Sequence, residues 1–352
     1  MTAAASLQTA RRWLGLCGGP APGAVLLHGQ AYDPRLDGIR AVAILLVMLV
    51  HSRAPYSGFG RLGVDIFFVL SGCLITRSLL QAPDLRRFFV LRFARLLPAL
   101  LLLLLAYSLI TGDALGVLPV LLYVSNFTAM AWGEPHMLLH TWSLAVEEHY
   151  YLLWPFLLPW LLRQQNRLRL LMLLWVAFTL WRVMNHEVFD FRVAYYRTDT
   201  RLSGLILGSA VALGLHVPRR LMWLLVPALL IGVFRNVWMM GVAMPMVEIA
   251  TAAAICSPPA WLARLSRLGL ISYGVYLWHY FIFALMKSEP WYWKLAIGGG
   301  LTMLVAAASY TWIEAPVRRR VRAWVERRFN QQEVQAGERE HEAGSMTSRS
   351  SN

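Results

Sequence analysis

Residues 36–51 read LDGIRAVAILLVMLVH, and the fold follows from this stretch and its echoes along the chain. Asp37 and Arg40 lie one helical turn apart, ten apolar residues follow, and His51 closes the run. A charge-poor helix of about 18 residues or more can cross a hydrocarbon core of roughly 30 Å. Comparable runs fall near 37–55, 61–80, 96–112, 115–132, 141–162, 168–186, 200–216, 220–239, 242–258, 270–287 and 293–315, eleven in all. Hydrophobic residues make up 58% of the 352, charged residues only 15%, and mean hydropathy is +0.51. That is too little charge to coat a soluble domain of this size. The reading is an all-α, polytopic transmembrane helical bundle rather than two soluble domains.

The net charge is +14, almost all of it arginine, with Lys287 and Lys294 the only lysines. The charges fall between the apolar runs, not in one patch. That pattern speaks for basic residues on the cytoplasmic side of a membrane and against nucleic-acid binding. Arg86, Arg87, Arg92 and Arg95 form one basic connection. Arg163, Arg167 and Arg169, then Arg219 and Arg220, then Arg264 and Arg267, then Arg318, Arg319 and Arg320 form the others. Placing all five in the cytoplasm makes 115–132 a re-entrant or interfacial segment, since 141–162 must return inward. Such segments persist at membrane depth only when packed in protein or lining a cavity. The expectation is ten crossings in an inner (plasma) membrane, with both termini cytoplasmic. Residues 1–34 read as a cytoplasmic extension, and 321–352 as a cytoplasmic tail, disordered from about 331. Cys17, Cys73 and Cys256 are scattered and not in metal-ligand spacing, so they read as free thiols, and no metal is expected.

Ionisable groups inside a bilayer are costly and face a cavity or a partner. His51 lies fourteen residues after Asp37, about 20 Å up the helix at ~1.5 Å per residue. Glu147 lies seven residues after His140, about 10 Å from the outer face by the same rise. The two groups thus reach a similar depth. A histidine is the usual general base near neutral pH, and a carboxylate can fix its tautomer. The bland alternatives are a core histidine held by a hydroxyl or carbonyl and a carboxylate paired with an arginine. Arg92 and Arg95 share a helical face near Arg86. Their guanidinium forks suit phosphate, although by themselves these residues read first as plain membrane anchoring. Arg40 with Asp37 reads as an ion pair. Asp65, Glu148, His149, His279 and Glu314 are further polar groups at membrane level, and Trp142, Trp154, Trp278 and Trp312 are candidate interfacial residues.

These residues fall into motifs. The chain resembles the acyltransferase-3 family of membrane acyltransferases over roughly residues 35–320. Arg40, ten residues and His51 resemble its opening signature, and GVDIFFVLSG at 63–72, with Asp65 and Ser71, resembles its second. Arg92-Phe93-Ala94-Arg95 resembles its Arg-x-x-Arg motif. Trp142-Ser143-Leu144-Ala145-Val146-Glu147, followed by Glu148, is similar to its Trp-Ser-Leu-x-x-Glu motif. SYGVYLWH at 272–279 and Trp312-Ile313-Glu314-Ala315-Pro316 resemble its last landmarks. Six motifs in order are specific together where each alone is weak. His149 and Tyr150 depart from the pattern, standing where Gln and Phe are expected.

The resemblance implies an acyl-CoA co-substrate, most often acetyl-CoA, and a hydroxyl of a carbohydrate or lipid-linked glycan as acceptor. It implies His51 as base or transient acyl carrier, Glu147 as its orienting partner and Arg40 as a donor or charge-stabilising group. Arg92, Arg95 and Arg86 would take the CoA phosphates. Asp37, Asp65, Ser71, Trp142, Ser143, Glu148, His279 and Glu314 would support the site or bind substrate. Some relatives carry an esterase-like domain outside the membrane. This chain would instead act alone or with a separate periplasmic esterase-like or glycan-assembly protein. The competing reading is a proton-coupled transporter or flippase, with the same His and Glu as a proton relay.

Overall fold

Asp33 and Pro34 start the first long helix. The Asp33 carboxylate accepts from the Arg35 backbone N–H at 2.9 Å, and Pro34 supplies a pre-set φ at the first helical position. A computed structural model describes residues 26–27, 30–31, 33–81, 84–234 and 236–328. Among them a two-residue antiparallel ladder pairs Leu26–Leu27 with Gln30–Ala31, in the stretch read as a plain extension. Everything else regular is helical. The expectations for residues 1–25 and for a disordered tail from about 331 lie outside the described residues.

The helices are α1 (Pro34–Ser52), α2 (Leu62–Gln81), α3 (Leu85–Thr111), α4 (Leu118–Leu121), α5 (Ser125–Ala131), α6 (Trp142–Leu162), α7 (Arg167–Val188) and α8 (Phe191–Tyr196). They continue as α9 (Leu202–Ala212), α10 (Leu225–Ile231), α11 (Met244–Cys256), α12 (Ser266–Leu270), α13 (Ser272–Leu285), α14 (Trp291–Trp293) and α15 (Gly299–Ser309). Asp84 caps α3, and Gly112, at φ 73°, closes it. Cap and C′ glycine together end a helix whose apolar run alone sets no boundary.

Five stretches are long and apolar enough to cross a membrane: Ser57–Gln81, Leu85–Thr111, Arg167–Val188, Met239–Cys256 and Trp291–Arg328. A sixth forms if Ala260–Leu270 and Ser272–Leu285, bent by 59°, act as one. The other expected runs are interrupted or carry charge. α1 holds Arg35, Asp37 and Arg40, α6 holds Glu147 and Glu148, and α9 is 11 residues long. The 115–132 run breaks into α4 and α5, of 4 and 7 residues, with Tyr123 between them at φ 55°. Neither piece can span a bilayer.

Helix α2 packs most closely against α9. A Cβ added at Gly72 would stand 2.0 Å from the Leu205 carbonyl oxygen, and one at Gly208 1.9 Å from that of Val69. Two glycines facing across one interface let the backbones touch, as small residues do between membrane helices. Hydroxyls then tie the contact to α6. Trp154 Nε1 donates to Thr76 Oγ1 at 2.8 Å, Thr76 Oγ1 lies 2.9 Å from Ser209 Oγ, and Tyr150 OH lies 2.6 Å from Ser209 Oγ. Trp154 is therefore a buried core residue, not an interfacial one.

Candidate active site

One histidine cluster gathers the end of α1, the middle of α13 and the turn before α6. Nδ1 of His51 lies 2.9 Å from Nε2 of His279. Nδ1 of His279 in turn lies 2.7 Å from the Tyr276 carbonyl oxygen. His140 stacks on Tyr280 at a centroid distance of 5.0 Å, and its Nε2 lies 3.1 Å from the Leu277 carbonyl oxygen. The Tyr280 ring meets His51 edge-on at 4.8 Å. His51 is partly buried, while His140 and His279 are buried.

From this cluster a line of polar side chains descends the bundle. Tyr276 OH lies 2.7 Å from Ser143 Oγ and donates to the His140 carbonyl at 2.5 Å. One turn below Ser143, Glu147 accepts from Ser71 Oγ and from Tyr151 OH, each at 3.0 Å. The Tyr151 ring carries the Arg92 guanidinium, 3.4 Å from its centroid. Arg92 closes the line with an ion pair to Glu148 at 2.6 Å. The sequence reading paired His51 with Glu147. Here His279 holds the His51 ring, and both Glu147 oxygens are taken by Ser71 and Tyr151. The phosphate-binding expectation for Arg92 meets a similar fact, because its fork is engaged by Glu148.

At the other end of α1, Arg40 pairs with buried Asp37 at 2.5 Å. Arg95 is exposed and makes no ion pair among the described residues. Arg40, Arg92 and Arg318 are the cations acting on it. Glu314 accepts from Ser309 Oγ at 2.9 Å and feels Arg95 and Arg318. Arg86 is exposed on the first turn of α3, where its N–H satisfies the Asp84 cap. A polyanion would find Arg95 without an ion pair among the described residues and Arg318 beside it, with Arg40 and Arg92 already paired to Asp37 and Glu148.

Asp65 and Trp142 belong to a different cluster. Asp65 pairs with Arg201 at 3.0 Å, and the Arg201 guanidinium lies 5.3, 5.5 and 4.9 Å from the rings of Phe68, Trp142 and Tyr195. Nearby, Arg182 pairs with Glu248 at 3.2 Å, and Glu248 also accepts from Ser203 at 2.7 Å and Trp175 at 2.7 Å. All four ionisable groups are buried. The sequence alone gives no role to Arg182, Arg201, Glu248 or Tyr151, and marks His140 and Tyr276 only as a helix start and as part of a motif. The signal for the first three was there, an ionisable residue inside an apolar run. His149 donates to or accepts from Thr198 Oγ1 at 2.9 Å, away from the histidine cluster. Among the described residues no group of three or more His, Cys, Asp or Glu could hold a metal ion. A cavity of about 440 Å³ lined by Leu285, Met286, Ser288, Glu289, Trp293 and Ile297 includes none of these site residues.

A polar line through an apolar bundle, with histidines at one end and arginines at the other, suits transfer of a group held on a polyanionic carrier. The family described as an acyltransferase domain matches residues 33–313, and the chain belongs to that acyltransferase-3 family. It is 30% identical to the peptidoglycan O-acetyltransferase of Listeria monocytogenes, over 83% of this chain and 57% of that one. It is 31% identical to a putative peptidoglycan O-acetyltransferase of Bacillus subtilis, over 82% and 55%. It is 30% identical to a putative O-acetyltransferase of Staphylococcus aureus, over 82% and 58%. The chain thus spans a little over half the length of these relatives. No solved structure matches it. Family membership favours group transfer over the transport reading.

Proposed function

We propose that this chain is a membrane O-acyltransferase that moves an acetyl group from cytoplasmic acetyl-CoA to a hydroxyl of an envelope carbohydrate. The observation that carries the reading is the polarity of α1. Its Arg40 end joins Arg95 and Arg318, and its His51 end joins His279, eleven residues away, or about 16 Å at helical rise. The Arg end takes the CoA phosphates from the cytoplasm, with Arg95 and Arg40 the primary contacts. The thioester then reaches toward His51. The His51 imidazole removes the acceptor hydroxyl proton, the hydroxyl oxygen attacks the thioester carbon, and the C–S bond breaks to release the CoA thiol. General-base help of this kind contributes roughly 10²–10⁴-fold in rate.

The named relatives support peptidoglycan as the first acceptor to test. With ten crossings and cytoplasmic termini, the arginine end faces the cytoplasm and the histidine end lies in the outer half of the inner membrane. A periplasmic esterase-like protein is the proposed partner for passing the acetyl group onward. The test uses the full chain in lipid nanodiscs with radiolabelled acetyl-CoA and glycan fragments. Wild-type protein transfers label to glycan, and His51→Ala, inserted normally, transfers none. Labelling by His51→Ala at the wild-type rate would rule out the catalytic histidine.

A further inference from the structure

The distances around His279 settle where protons sit, and this decides which atom of His51 reacts. Nδ1 of His279 lies 2.7 Å from the Tyr276 carbonyl oxygen and 3.2 Å from that of Val275. A carbonyl only accepts, so this nitrogen carries a hydrogen. His279 is 0% exposed, and no carboxylate pairs with it among the described residues. A cation there would be buried and uncompensated, which is costly, so the ring is neutral. Its Nε2 is then a bare acceptor. The atom 2.9 Å from it is Nδ1 of His51, which must therefore donate. The Val47 carbonyl, one turn back on α1, also approaches the His51 ring, and it too can only accept.

We propose that His279 is a positioning residue that fixes His51 as its Nδ1–H tautomer, leaving the Nε2 lone pair as the reacting atom. The relay runs from the Tyr276 carbonyl through His279 to His51. It replaces the carboxylate usually found behind a catalytic histidine with a neutral imidazole. The proposal rests on the acyl-transfer reading. It holds whether Nε2 takes the acceptor proton or carries the acyl group, since both need the same bare nitrogen. In the base form the balance is complete. Nε2 gains the hydroxyl proton, the new O–C bond replaces the C–S bond, and Nε2 returns the proton to the departing thiolate. His140 is not this partner: its Nε2 faces the Leu277 carbonyl, and its Nδ1 makes no hydrogen bond to His51 among the described residues.

The experiment has two arms on the full chain in nanodiscs. In the first, ¹⁵N-histidine NMR of wild-type protein without substrate reads the tautomer of His51, assigned by the signals lost in His51→Asn. A protonated Nδ1 and bare Nε2 support the proposal, and a protonated Nε2 overturns it. In the second, turnover is compared for two variants. His279→Gln keeps an acceptor oxygen for His51 and an N–H for the Tyr276 carbonyl, so kcat stays within about tenfold of wild type. His279→Phe keeps ring volume without an acceptor, so kcat falls about 10²-fold with little change in the KM for acetyl-CoA. Equal kcat in His279→Phe and wild type would overturn the relay. Wild-type protein that transfers no acyl group would instead overturn the proposed function, and the NMR arm would still report the tautomer.

Discussion

Arg92 and Arg95 share a motif but face different chemistry. Arg92 is held by Glu148 and by the face of Tyr151, whereas Arg95 makes no ion pair among the described residues. Breaking a buried pair leaves its partner charge without compensation, at about 3–5 kcal/mol. Arg92→Ala should therefore lower the thermal midpoint in detergent, whatever it does to the donor. Arg95→Ala should leave the midpoint near wild type and raise the KM for acetyl-CoA about tenfold, the loss of one charge-assisted phosphate contact. An unchanged KM in Arg95→Ala would assign that arginine to membrane anchoring. Glu147 teaches a related lesson. Its carboxylate inside an apolar run was legible in the sequence, but its partners were not. Ser71 and Tyr151 reach it from another helix and from the next turn of its own.

Helix contacts set the scale on which the bundle is held. Between α2 and α9 the backbones meet at Gly72 and Gly208, where even one carbon has no room. Gly208→Leu should force the helices apart and cost more than about 2 kcal/mol, seen as a large fall in thermal midpoint or loss of folded protein. Gly300 is the control, since an added Cβ there meets nothing within 4 Å. Gly300→Ala should be neutral or stabilise by about 0.5–1 kcal/mol through helix propensity. Around Arg182 the helices α7, α9 and α11 meet on charges. Glu248→Leu alone should destabilise by about 3–5 kcal/mol, and adding Arg182→Leu should recover most of the loss, because no charge is then left buried alone. Thermal unfolding of the single and double variants measures this. A double variant no more stable than the single one would mean that the cluster is held by its hydrogen bonds to Ser203, Trp175 and the Met240 carbonyl.

Across the whole molecule, the proposed ten-crossing topology puts the arginine-rich loops in the cytoplasm. A cysteine at Asp113, in the connection after α3, should react with an impermeant maleimide in intact cells. One at Gln164, between α6 and α7, should react only after permeabilisation. Labelling of both from one side would refute the ten-crossing topology. The helical class and the family were legible in the chain because hydropathy and motif order are local or cumulative properties. Helix α1 shows the limit of that legibility. Its charged first turn, its apolar run and its histidine were plain, and so was the idea that a base needs a partner. Residue 279 is 228 positions away and reaches His51 only because α13 packs against α1. Counting residues put His51 and Glu147 at similar levels, whereas His51 clusters with His279 and His140, and Glu147 lies two turns beyond His140, on α6. Rotation about each helix axis follows from packing on neighbours, and only the tertiary structure decided that His51 turns to His279 and Glu147 to Ser71 and Tyr151.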